Sequence, residues 1–355
     1  MMEELTSERI AVVIPCYRVE RHIAHVIEGI PAFISLIVAV DDACPNRSAA
    51  VIQNLRDPRV VLVEHAKNQG VGGAMISGYQ ECLRRGADII IKMDGDGQMN
   101  PAHLPDLIGP LVAGNADYTK GNRWHDSANL TKMPRVRRIG NLGLSFLTKL
   151  ASGQWNIFDP CNGYTAIHAH ALRQLSLEHV ARDYFFEISV LVELGISGAV
   201  VRDVPMAAIY GEETSSLRIG RILRSFPRRL MASFVRRVWG RHFIREFGPV
   251  GLFLASGSVL FGLGGLFGAW AWIESLLSDV PATSGTVMLS ALPLLAGFQL
   301  LLQALVMDIS AQPQHRRAGA DQPWQPEIAT LAFPAESTAT LYTDAEERKP
   351  AKLAA

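Results

Sequence analysis

Asp94 and Asp96 stand two residues apart, with Gly95 between them and Gly97-Gln98 behind. Two carboxylates at that spacing on a tight turn can converge on one hard divalent cation, which takes oxygen ligands and bridges readily to phosphates. The same residues also make an ordinary solvated Asp-Gly turn. An EF-hand is excluded, because its obligatory Gly and Glu would fall on Met99 and Pro105. Asp41 and Asp42 form a second acidic pair. Neighbours in extended chain point opposite ways, so one can reach a ligand while the other supports the loop or caps the next helix. Asn68-Gln69-Gly70-Val71-Gly72-Gly73-Ala74 is a glycine-rich turn through which backbone can approach a phosphate or ribose. It is not a dinucleotide fingerprint, since Met75 occupies the place of the third glycine.

These residues need elements to present them. Ile10–Ile14 reads as a strand ending at Pro15, and a helical pattern follows to about Gly29. Ser35–Val40 is a second strand that runs into Asp41-Asp42, and Val60–Val63 is a third. Val71–Arg85 reads as a helix after the glycine turn, and Asp88–Met93 is a fourth strand that delivers Asp94. Continuous apolar strands separated by helices predict an α/β fold, a mostly parallel sheet with helices on both faces. Ligands bind such sheets at the carboxyl ends of the strands, which is where each of these motifs falls.

The ordered set Ile14-Pro15-Cys16-Tyr17, Val40-Asp41-Asp42, Asn68-x-Gly70-x-Gly72-x-Ala74 and Asp94-x-Asp96-x-Gln98 resembles the family 2 glycosyltransferases of GT-A fold. Gly121-x-Arg123, Met133-Pro134-x-x-Arg137-x-x-Gly140-Asn141 and Asp159-x-x-x-Gly163-Tyr164 are similar to the dolichyl/polyprenyl-phosphate hexose synthase branch. The resemblance covers about residues 9–310. It implies that Asp94, Asp96 and Gln98 hold Mg²⁺ or Mn²⁺ and, through it, the diphosphate of a nucleotide sugar. Pro15, Tyr17, Glu20, Asp41, Asp42, Asn68, Gly72 and Gly95 would line the nucleotide-sugar site. Arg123, Arg137, Arg138 and Asn141 would hold the acceptor phosphate, with Asp159 beside it. Asp96, Asp159, Arg123 and Arg137 would carry catalysis. Phe186-Glu187 matches an acidic position before a buried helix. Tyr210–Ser216 resembles a loop that closes over the donor, with Ser215, Ser216 and Arg218 near phosphate. Where the family has Asn-Glu after the first-loop Tyr, this chain has Arg18-Val19 and then Glu20. Where it has Gly-Phe-Arg after the late Asp, this chain has Gly163-Tyr164-Thr165. The QxxRW signature of processive synthases is absent.

The remainder of the chain is of another kind. Residues 249–273 and 285–307 contain no charged residue. At 1.5 Å per residue each is long enough for a hydrocarbon core of about 30 Å, so two transmembrane helices are expected. Before them, residues 217–247 carry nine arginines and one acid, Glu246. Ile219, Leu223, Phe226, Leu230, Phe234 and Val238 recur there at helical spacing, which predicts one or two interfacial amphipathic helices broken near Pro227. The segment linking the two apolar runs, residues 274–284, has two acids and no Lys or Arg. The positive-inside rule then places the catalytic domain and both termini in the cytoplasm. The expected division is a catalytic domain over 1–216, a basic collar over 217–247, a transmembrane pair over 248–310 and a disordered tail over 311–355.

The chain has 355 residues, 34 basic and 34 acidic, and is 48% hydrophobic but only 19% charged. Its zero net charge is a cancellation between the basic collar and a more acidic remainder, and the low charged fraction comes from the apolar runs. The polar start MMEELTSERI lacks the apolar region of a signal peptide. Cys16, Cys44, Cys82 and Cys161 have no zinc-like spacing and are expected to be buried thiols. The expected partners are a nucleotide diphosphate sugar, undecaprenyl or dolichyl phosphate and the bilayer, with room for a homo-oligomer and none for nucleic acid. Two alternatives stand beside this reading. One is transfer to another lipid hydroxyl, with Asp159 as general base. The other is a catalytically silent membrane scaffold that binds nucleotide sugars.

Overall fold

The computed structural model describes residues 8–124, 135–206, 219–245 and 247–311, and the side chains of 135–139, 141 and 219–225 lie outside that description. The first part alternates strands and helices: β1 (Ile10–Cys16), α1 (Ile23–Glu28), β2 (Leu36–Asp41), α2 (Ser48–Asn54), β3 (Val60–Glu64), α3 (Val71–Arg84), β4 (Ile89–Lys92) and α4 (Leu104–Val112). Then come β5 (Tyr118–Asn122), α5 (Arg135–Ser152), β6 (Thr165–His168), α6 (Ala169–Gln174), α7 (Phe186–Ser197) and β7 (Val201–Pro205).

The strands form one seven-stranded sheet in the order β3-β2-β1-β4-β6-β5-β7. The expected α/β architecture is present, and the sheet is mostly parallel. β6 is the exception, antiparallel to both β4 and β5. The central strands read as unbroken apolar runs because both faces are covered. In β1, Ile10, Val12 and Ile14 enter one core while Ala11 and Val13 enter the other. β2 and β4 alternate in the same way, Ile37 and Ala39 against Val38 and Val40, and Ile89 and Ile91 against Ile90. Pro15 is tolerated in a central strand because β4 pairs only with Ile10–Val13, so no donor is needed at Pro15 on that side.

The collar differs from expectation. It is one helix, α8 (Ile219–Trp239), with Pro227 inside it, followed by a π-helical turn over Gly240–Arg245. Proline removes a single N–H there, and the helix continues through the gap. Two long apolar helices follow, α9 (Pro249–Ser278) and α10 (Ser284–Ser310), both long and apolar enough to cross a bilayer. They extend beyond the uncharged runs at residues 249–273 and 285–307 because helix geometry continues into the flanking polar residues. Their contact is made by small residues: Gly264 lies against Ser290 and Leu294, and Gly297 against Gly257 and Phe261. Close backbone approach of this kind is how helices associate without a hydrophobic drive between them. The four cysteines are free thiols, but only Cys16 and Cys82 are buried; Cys161 is exposed and Cys44 half-buried, because both lie in loops at the sheet edge rather than in its apolar strands.

α3 reaches β1 through Gly78, where a Cβ would collide with the Val13 side chain. Gly78→Ala is therefore expected to destabilise the α/β unit by about 1–3 kcal/mol through overpacking, measured by urea unfolding monitored at 222 nm.

Candidate active site

Parallel strands bring their carboxyl ends to one edge, so the loops after β1, β2, β3, β4 and β5 lie along a common side of the sheet. The order places a switch point between β1 and β4, where chain leaves the sheet in both directions. The Asp94–Gln98 turn stands there. Its geometry depends on Lys92, the last residue of β4, which is 1% exposed. Lys92 Nζ donates to Asp94 Oδ1 at 2.6 Å and lies 3.5 Å from Glu187 Oε1 on the first turn of α7. Burial disfavours the ammonium, but the charges and hydrogen bonds of Asp94 and Glu187 outweigh it and hold the lysine above its usual pKa. The turn closes with Gly97 at φ +80° and with the Gln98 amide donating to Asp96 Oδ1 at 3.0 Å. The Asp159–Tyr164 loop packs against it. A Cβ on Gly163 would collide with Lys92 Nζ, and the Tyr164 hydroxyl donates to the Asn100 carbonyl at 3.1 Å.

Arg123 follows β5 and reaches Asp159 through two hydrogen bonds, Nε to Oδ2 at 2.7 Å and Nη2 to Oδ1 at 3.1 Å. Asp159 is 1% exposed, so its charge is satisfied in a fixed fork-to-fork geometry. The pairing makes Asp159 an orienting partner of Arg123. Beneath them Lys120 is wholly buried and donates to the Asn162 carbonyl, while Asn162 Nδ2 donates to the Gly121 carbonyl at 2.7 Å. Asp203 on β7 joins the same loops by accepting from Asn122 Nδ2 at 3.0 Å and from the Phe158 amide at 2.8 Å.

The residues expected to read the nucleotide are arranged differently from one another. Tyr17 is 44% exposed just after β1, with the Arg18 guanidinium over its ring. Asp41 and Asp42 are both buried. Asp41 accepts from the Cys44 and Ala49 amides, and Asp42 accepts from the Gln69 and Gly70 amides. Asp42 also accepts a hydrogen bond from His65 Nδ1 at 2.7 Å, and His65 Nε2 lies 2.8 Å from Ser77 Oγ. Both carboxylates thus organise loops. Asn68 caps the Gly70 amide through its side-chain oxygen. The glycines serve a protein contact: Gly72 and Gly73 donate their amides to the Arg182 carbonyl, and a Cβ on Gly72 would collide with the Ala181 carbonyl oxygen. The motif's tight backbone approach is to the protein's own chain at 181–182. Glu20 accepts from Asn46 Nδ2 at 2.8 Å, which ties the first loop to the second. Gly95 is buried beneath the Asp94–Asp96 pair, and Pro15 lies at the root of the Tyr17 loop.

Arg137, Arg138 and Asn141 fall on α5, but their side chains lie outside the described residues, as do Ser215, Ser216, Arg218 and the tail beyond 311. The sequence reading overlooked Lys92, Lys120, Asn162, His65 and Asp203. A signal existed for the two lysines: each is the single charged residue of its strand, Lys92 at the end of IIIK and Lys120 in the middle of YTKGN.

Among the described residues, no three His, Cys, Asp or Glu side chains converge as a metal cage. The Asp94–Gln98 turn nevertheless fits a hard cation: it offers partly exposed carboxylates and an amide oxygen, an all-oxygen donor set. Remaining ligands would come from a diphosphate.

Residues 11–176 match the family profile described as glycosyl transferase family 2. The chain carries a family 2 glycosyltransferase domain. The match runs from β1 through α6 and so includes the acidic turn and the Arg123–Asp159 pair. The UDP-N-acetylglucosamine–dolichyl-phosphate N-acetylglucosaminyltransferase of Methanococcus voltae is 28% identical over 223 residues, 59% of this chain and 88% of that protein. The undecaprenyl-phosphate mannosyltransferase of Micrococcus luteus is 28% identical over 190 residues, 53% and 77% of the two chains. The polyprenol monophosphomannose synthase of Mycolicibacterium smegmatis is 27% identical over 206 residues, 56% and 77%. Among solved structures, glucosyl-3-phosphoglycerate synthase from Mycobacterium tuberculosis, in complex with Mn²⁺, UDP and glucosyl-3-phosphoglycerate, is 18% identical with a TM-score of 0.49 over 67% of this chain and 84% of that one.

On β7, burial pushes the Asp203 carboxyl up to about 6, against relief from the Phe158 amide. The folded state therefore binds this proton more tightly than the unfolded chain. Its contribution to stability is present at low pH and is lost as pH rises from about 4 through about 6. Asp203→Asn should flatten that decline and raise Tm relative to the parent above pH about 6, read from thermal melts across pH.

Proposed function

We propose that this enzyme transfers a hexose from a nucleotide diphosphate sugar to a polyprenyl phosphate at the cytoplasmic face of a membrane, with inversion at the anomeric carbon. The donor diphosphate would sit at the Asp94–Gln98 turn, with the nucleoside beside Tyr17. A divalent cation bound there, Mg²⁺ or Mn²⁺, supplies charge stabilisation for the departing nucleoside diphosphate. Asp94 is held ready by Lys92, and Lys92 by Glu187. The acceptor phosphate would be held by Arg123 together with Arg137, Arg138 and Asn141.

The observation that carries this reading is the Arg123–Asp159 pair at the same sheet edge as the acidic turn. A phosphate acceptor has a second pKa near 6, so at neutral pH it is already an anionic nucleophile. Such an acceptor needs a planar donor fork more than a strong base. Asp159, engaged on both oxygens by Arg123, suits a site that orients an arginine. A hydroxyl acceptor would require a carboxylate held open to take its proton. The acceptors in the relatives' names, dolichyl and undecaprenyl phosphate, support the same choice. α9 and α10 would anchor the head, and the arginine-rich collar would face the anionic cytoplasmic leaflet.

A panel of radiolabelled GDP- and UDP-sugars with undecaprenyl phosphate, run with Mg²⁺, Mn²⁺ or chelator, tests the reaction. Asp96→Ala should lower kcat by about 100-fold or more, the scale of contacts that meet developing charge, while membrane insertion is retained. Undiminished turnover would remove Asp96 from the cation site. Arg137→Ala should raise KM for the lipid by about 10- to 100-fold, as loss of a charge-assisted hydrogen bond worth about 1.5–3 kcal/mol requires. Donor KM should stay nearly constant, and the opposite pattern would assign Arg137 to the donor.

A further inference from the structure

Arg237 belongs to the basic collar, yet it is wholly buried, the largest such side chain among the described residues. Its guanidinium joins three parts of the molecule. Nε donates to the Ala151 carbonyl at 3.1 Å and Nη2 to the Leu150 carbonyl at 3.1 Å, both in the last turn of α5. Nη1 and Nη2 form a fork with the Asp308 carboxylate at 2.9 and 3.0 Å, near the end of α10. His242, in the π-helical turn after α8, donates Nε2–H to the same carboxylate at 2.8 Å. Asp308 and His242 are 7% and 6% exposed. The surroundings are shaped to the guanidinium: Gly153 adopts φ +71°, and a Cβ there would press on Nη1, while one on Gly195 would strike the Ser152 carbonyl. Beside it, Arg241 donates to the Gly195 carbonyl at 3.3 Å and to the Ala311 carbonyl at 2.9 Å, adding a second tie from collar to α7 and to the end of α10.

A cation is well placed at the last carbonyls of a helix. A buried ion pair adds little net stability over an apolar pair of similar size; it distinguishes itself by permitting one geometry. Here that geometry relates α5, which carries Arg137 and Arg138 on its first turn, to the membrane-spanning pair. We propose that Arg237, Asp308 and His242 form a lock that fixes the height and tilt of the catalytic head over the bilayer, and that they are positioning residues for transfer to an acceptor whose phosphate is held at the membrane surface. The inference rests on the membrane-acceptor reading above. The lock touches no reacting atom. It sets where the site stands relative to a phosphate that cannot leave the interface.

The full-length protein in vesicles separates positioning from folding. Two variants serve, Asp308→Asn and the apolar exchange Arg237→Met with Asp308→Leu, which removes the lock without leaving a buried charge. With undecaprenyl phosphate in the vesicle, KM should rise on the order of tenfold, in keeping with the steep cost of misplacing a reacting group. With water-soluble citronellyl phosphate in detergent, kcat/KM should stay within about twofold of the parent, since that acceptor diffuses to the site wherever it stands. Hydrogen exchange should rise in both variants over residues 146–153 and 237–245. Equal losses with both acceptors, unchanged kinetics with both, or unchanged exchange would overturn the lock. If the parent glycosylates neither phosphate, the acceptor reading fails, and the exchange measurement alone decides whether the contact holds the head.

Discussion

Taking an ammonium group out of water is costly unless negative charge goes with it, and the site is organised around Lys92, which is buried with two carboxylates. Lys92 ends a central strand with almost no exposure, so Asp94 and Glu187 must come to it. That requirement draws the first turn of α7 onto the end of β4 and fixes the direction of the acidic turn. The Asp159–Tyr164 loop must then pass so close to the lysine that only glycine fits at Gly163. The parallel arrangement puts the pieces on one edge; the buried charge decides how they interlock.

Much of this was legible in the residues. Apolar strands, glycine turns and acidic ends marked the α/β fold and its ligand edge, and the acidic turn stands at the switch point. What could not be read was which polar groups face inward to serve the protein itself. Asp41 and Asp42 are spaced like ligand contacts, but both are buried and hold backbone amides. The glycines at 70–73 are spaced for a phosphate, yet they meet the carbonyls of residues 181–182, more than a hundred positions away. Periodicity reports local geometry, and these partners are non-local.

The collar shows the same limit. Nine arginines in one amphipathic stretch read as a single charged surface. Arg236 pairs with Glu193 at 2.6 Å on α7, whereas its neighbour Arg237 turns into the interior. Helical spacing puts Arg237 on the face of Leu230, seven residues earlier, and Arg236 about 100° round from it, but it does not reveal that a charged side chain is taken inside there. Their roles follow from α5 and α10 arriving on one side of α8. Pro227 misled for a related reason, because tertiary packing overrides a local helix breaker whose cost is one hydrogen bond.

The order of the chain gives the Arg237–Asp308 contact a history as well as a place. Chains emerge from the ribosome amino end first, and domains fold as they appear. Arg237 and the carbonyls it caps are made before α9 and α10, so the guanidinium waits without its carboxylate until the second apolar helix has been made and packed. The head and collar can associate early, but their seam is completed only by the end of α10. A chain that stopped short of Asp308 would keep an unneutralised charge at that seam.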